Sequence, residues 1–149
     1  MAALLVGLAL GCGSTRDLAP LCVPFYTSLD EPSGFQEIEY PASEGTLWAL
    51  LFSRDGEFQA GTTARILWKM TDGRGDIRLV AIHEDGVTRI RPSEGPVSRS
   101  MRSDWIHEEQ EWGSEFIFPK AGCWRILVSR YLVDTDRPVT GEIEIQIGP

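Results

Sequence analysis

Two histidines standing beside carboxylates are the first residues whose types could do chemistry. His107 is flanked by Glu108, Glu109 and Glu111, and His83 by Glu84 and Asp85. Imidazole and carboxylate together ligate zinc, and carboxylates alone hold harder cations. Brought into one cleft, they could bind an ion or supply acid and base for hydrolysis. The spacing matches no standard ligand pattern, however, and adjacent carboxylates usually form a solvated face. Neither a Gly-x-Ser-x-Gly elbow nor a His-Glu-x-x-His helix is present to activate a nucleophile or a water. A blue-copper site needs two His, a thiolate and usually an axial Met, the later ligands close behind the Cys. Cys123 is followed by "WRILVSR", which has neither. The expectation is a chain without catalytic activity, metal or cofactor. The alternative is an envelope metal-binding protein or hydrolase using His83, His107 and the nearby acids.

The cysteines are the second source of chemistry, at positions 12, 22 and 123. Ahead of Cys12 stands "MAALLVGLALG", apolar and uncharged. It is shorter than the roughly 20 residues that span a bilayer, and reads as the apolar region of a secretory signal peptide over residues 1–11. "LALGC" resembles a bacterial lipobox, with Ala9 where Leu, Val or Ile is usual and no Lys or Arg before the apolar run. That resemblance implies cleavage before Cys12, a diacylglyceryl group on its sulfur, and residues 12–32 as tether and N-terminal arm. The competing reading folds residues 1–11 as a strand or core helix. If Cys12 carries lipid, Cys22 and Cys123 remain, and an oxidising compartment favours joining them. A loop of about 100 residues closed in this way is worth about 2 to 5 kcal/mol. Otherwise both are buried, inert thiols.

Charge narrows the partners. The chain has 149 residues and a formal net charge of −8. That length suits one domain with its own core, residues 33–149 here. The acidic balance argues against nucleic acid, which demands a basic surface, and against attachment to anionic lipid by charge alone. The expected partners are the membrane, through a lipid on Cys12, and a protein or polysaccharide of the cell envelope, met by a monomer.

The elements that must position these residues read as short strands. Period-two runs cover Phe35 to Tyr40, Thr46 to Ser53, Thr63 to Met70, Asp76 to His83, Val87 to Arg91, Ser114 to Phe118, Cys123 to Arg130 and Gly141 to Ile147. Along "CWRILVSR", Trp124, Ile126 and Val128 share one face and Cys123 lies on the other. "SRDGEF" and "HEDGVT" carry Asp-Gly between apolar runs, a hairpin signal. About seven to eight strands with regular turns predict an all-β, antiparallel β-sandwich. The least regular stretch, Pro92 to Gly113, reads as a long connection. There Trp105 and Trp112 bracket "IHEEQE". Trp105, His107 and Trp112 are the candidate partner-binding residues, since aromatics displayed beside charge are typical of interfaces. The other reading folds both tryptophans back over the sandwich end. Trp48, Trp68 and Trp124 are expected in the core. "GRGD" at Gly73 to Asp76 contains an Arg-Gly-Asp tripeptide in an expected turn, where Gly and Asp are ordinary turn residues.

"EFIF", "PKAG" and "CWRILV" resemble the E strand, corner and F strand of immunoglobulin-like domains, with Trp124 where that family usually has Tyr. A tryptophan has no hydroxyl for the usual corner hydrogen bond. Together with "GTLWALLFSRDG" and "ILWKMTDGRGDIRLVAI", the corner "WGSEFIFPKAGCWRILV" resembles a family of bacterial secreted or lipid-anchored proteins without assigned activity. The likeness covers roughly residues 20 to 148, about one domain. It implies export and an immunoglobulin-like sandwich, and contributes no catalytic residue.

Overall fold

The computed structural model describes residues 22, 35–53, 57–71, 75–99, 110–131 and 137–149. Cys12, Trp105 and His107 lie outside them, as does Arg74 of the Arg-Gly-Asp tripeptide. The described residues form ten strands: β1 (Gln36–Pro41), β2 (Thr46–Leu51), β3 (Phe58–Gln59), β4 (Thr63–Met70), β5 (Ile77–His83), β6 (Arg89–Ile90), β7 (Glu94–Arg99), β8 (Glu111–Ile117), β9 (Gly122–Tyr131) and β10 (Pro138–Gly148). Among the described residues there is no helix. The strands make two five-stranded sheets, β1-β2-β4-β8-β7 and β3-β10-β9-β5-β6. All pairings are antiparallel except the short β3 and β10 contact.

Alternation along each strand builds the core between the sheets. Leu47, Ala49 and Leu51 of β2, Ile66, Trp68 and Met70 of β4, and Trp124, Ile126 and Val128 of β9 all point inward and are buried. β10 contributes Ile143, Ile145 and Ile147. The connection expected over Pro92 to Gly113 is corrected: it contains β7 and the start of β8. Its polar "EGPVSR" hides an edge strand because an edge on a solvated face needs no apolar alternation. β3, two residues long, is too short for any period to reveal.

The corner into β9 rests on two features. Gly122 has φ +123°, and a Cβ there would stand 2.6 Å from His83 Nε2 and from Glu84 Oε1, so only glycine fits. The expectation that Trp124 cannot tie the corner is also corrected. Its indole Nε1–H donates to Lys120 O at 3.1 Å. The bond reaches back to the corner backbone, as the hydroxyl of a tyrosine corner does, because an N–H donor on a long aromatic side chain serves the same acceptor.

Candidate functional site

The outer face of the first sheet carries a groove. Register aligns the residues of this face in rows across the strands. One row runs Glu37, Leu50, Leu67, Gly113, Val97, and the next runs Arg65, Glu115, Glu94. Gly113 supplies no side chain between Leu67 and Val97, so the apolar row is notched there. β7 shifts register between Glu94 and Val97 and so draws away from regular pairing. Gly95, at φ +84°, makes the shift: a Cβ on it would lie 2.5 Å from Gly113 O.

The result is an open groove of about 480 Å³, lined among others by Phe52, Leu67, Gly113, Val97, Arg65 and Glu115. Its apolar walls are displayed, with Phe52 41 % and Val97 63 % exposed. Phe35 braces Phe52, ring centroids 5.0 Å apart. At the polar end Arg65 Nε donates to Glu115 Oε1 at 2.7 Å. Ser114 presents only backbone to the groove, since its Oγ accepts the Trp68 indole N–H at 2.8 Å inside the core. The chemistry offered is therefore apolar contact flanked by an ion pair, the composition of a recognition surface.

A further row on this face, Glu39, Trp48, Lys69, Glu111, is charged, and within it Lys69 and Glu111 are buried while Glu39 is exposed. Lys69 is 1 % exposed although it points away from the core, and its Nζ lies 5.0 Å from the centroid of Trp48. Such a cation–π contact is favoured where the ammonium loses water.

The second sheet carries the cysteine bridge. Cys22 and Cys123 are disulfide-bonded, with Cα atoms 5.5 Å apart. Cys123 points outward from β9 as its alternation demands, and is buried.

His83 ends β5 at the edge of the sandwich, its ring edge-on to Trp124 with centroids 5.0 Å apart. Asp85 N–H donates to Nδ1 at 3.2 Å, and Nε2 lies 3.1 Å from Ala121 O. Asp85 is equally committed: Oδ1 accepts from the N–H groups of Val87 and Thr88, and Oδ2 from the Thr88 hydroxyl and the Lys120 ammonium. The Lys120 bond, then those from Thr88, hold its carboxyl well below the usual carboxylate range. The cluster fastens the β5–β6 turn to the corner. Among the described residues no three His, Cys, Asp or Glu side chains converge to hold a metal ion.

Trp112 is the sequence candidate that the fold relocates. It lies on β8, fully buried, opposite Trp68, instead of displayed on a loop. The physical reason is period: Trp112, Ser114 and Phe116 form one inward face, and β8 begins at Glu111, three residues before the expected strand start. Arg130 was missed by the same route. Its position two residues after Val128 puts it inward, and it is 3 % exposed. No protein-family model, curated protein or solved structure matches the chain.

Proposed function

We propose that the chain is an exported, lipid-anchored binding or envelope-structural module with an immunoglobulin-like sandwich and no catalytic role. The observation that carries this reading is the Cys22–Cys123 bridge. Disulfides persist in oxidising compartments, and this pair uses two of the three cysteines, leaving Cys12 beside "LALG". Strand order supports the immunoglobulin likeness: β2-β4-β8-β7 facing β10-β9-β5-β6 follows the order A-B-E-D facing G-F-C with an added strand. Among the described residues no helix is long and apolar enough to cross a membrane, so the attachment proposed is the acyl chains on Cys12.

The mechanism is passive. Lipid on Cys12 holds the domain at the membrane, the bridge fixes the arm to the second sheet, and the groove on the first sheet engages a protein or polysaccharide of the envelope. The domain acts as a monomer, without cofactor and without nucleic acid. Detergent phase partitioning tests it: the wild-type chain should enter the detergent phase and Cys12→Ala the aqueous phase. Equal partitioning of both would refute lipid anchoring.

A further inference from the structure

Of the two outer faces, one is tied to the anchor and is also the less acidic. Cys123 stands on the outer face of the second sheet, at the start of β9. Cys12 and Cys22 are ten residues apart in the sequence, a length for which a random coil would have a root-mean-square span of about 17 Å. Were the bridge absent, the domain would hang instead from Gln36 of β1, an edge of the other sheet, on 24 residues spanning about 27 Å. The disulfide thus moves the point of suspension from one sheet to the other and shortens the leash.

Charge agrees with this geometry. On the outer face of the second sheet, register places Arg78, Arg89 and Arg125 with Glu142 and Glu144, around the half-exposed Leu127. Among the described side chains, the outer face of the first sheet carries Glu37, Glu39, Glu94, Glu111 and Glu115, against Arg65 and Lys69. The formal sums over these side chains are +1 and −3, in a chain whose total is −8. A net charge of −8 opposes spontaneous docking on anionic lipid. An anchor that already holds the domain within a Debye length or two changes the question to which face turns inward, and the answer is the one with excess arginine.

We infer that the outer face of the β3-β10-β9-β5-β6 sheet is a membrane-apposed surface that rests on anionic phospholipid headgroups, through Arg78, Arg89 and Arg125 around Leu127. The Phe52–Val97 groove, on the opposite face of the sandwich, is thereby presented away from the bilayer. This inference rests on the proposed lipid anchor. Because sandwiched sheets pack about 10 Å apart, with side chains extending beyond each, the two outer faces are far enough separated for short-range probes to tell them apart.

The test uses the mature lipidated protein on vesicles of phosphatidylethanolamine containing phosphatidylglycerol, with a headgroup-attached nitroxide as quencher. A fluorophore is introduced through Leu127→Cys or, separately, through Val97→Cys, both at exposed positions. The expected result is loss of fluorescence at position 127 and retention at 97. The difference should shrink when phosphatidylcholine replaces the anionic lipid, and when Arg78→Glu and Arg89→Glu are combined. Protein that floats with the vesicles yet is quenched equally at both positions, or more at 97, overturns the orientation and leaves the anchor standing. Protein that does not float overturns both.

Discussion

The guanidinium of Arg130 lies over the ring of Trp112, its Cζ 4.3 Å from the ring centroid, at one end of the core between the sheets. The same group donates from Nε to Gly75 O, from one terminal nitrogen to Met70 O and from the other to Gln110 Oε1. A buried cation is tolerated here because its fork satisfies three acceptors while the indole face takes its flat side. Through them Arg130 joins β9 to the end of β4, the start of β5 and the approach to β8.

Arg130→Ala should therefore cost about 2 to 5 kcal/mol in urea unfolding, since it strands the buried Met70 carbonyl and opens a void. Arg130→Lys should recover only part of this, because an ammonium cannot reproduce the planar fork. A loss under about 0.5 kcal/mol for Arg130→Ala, the range of ordinary surface changes, would mean that the stack contributes nothing.

The buried bond from Trp68 Nε1–H to Ser114 Oγ, 2.8 Å long, predicts a coupled pair. Ser114→Ala leaves the indole donor unsatisfied and should cost about 1 to 3 kcal/mol. In a double-mutant cycle with Trp68→Phe, the coupling should fall in the range of about 0.5 to 3 kcal/mol. Strict additivity would show that the bond is not made in solution.

Stability should fall in acid with a defined contribution from Asp85. Its pKa is depressed in the folded state, so its contribution is complete at neutral pH and declines once pH drops below the unfolded value near 4. Glu144 has the opposite sign. Burial raises its pKa, more than the attraction of Arg125 lowers it, so its ionisation on raising the pH works against the fold. Urea midpoints measured from acid to neutral pH should show a shallower acid limb for Asp85→Asn and a higher neutral plateau for Glu144→Gln. An acid limb unchanged by Asp85→Asn contradicts the assignment.

Gly95→Ala should destabilise β7 and the groove wall together. Positive φ disfavours any side chain there, and the added Cβ meets Gly113 O at 2.5 Å. A cost of about 1 to 3 kcal/mol is expected, with reduced amide protection along β7. Wild-type protection at Val97 would show that the register shift does not depend on glycine.

Strand periodicity made the all-β sandwich legible: Thr63 to Met70 matches β4 end for end, and the Ile143, Ile145, Ile147 face is buried as its alternation requires. What failed was reading residue type against period. Trp112 was read by what tryptophan beside acids usually does, yet it sits on an inward position of β8; Arg130, inward on β9, was not singled out at all. The groove was invisible for a different reason. It depends on a missing side chain at Gly113 meeting a register shift at Gly95 in another strand, a relation between distant positions that local patterning does not contain. The cysteine pair was reachable by counting, because an odd total with one thiol assigned to lipid leaves a single partnership.

The account turns on how the three cysteines are used, and peptide mapping by mass spectrometry of the protein taken from its native envelope, without reductant, reads that directly. The predicted result is a mature chain beginning at a diacylglyceryl-modified Cys12, with the peptides containing Cys22 and Cys123 recovered joined. An unmodified Cys12 together with free thiols at 22 and 123 would contradict it.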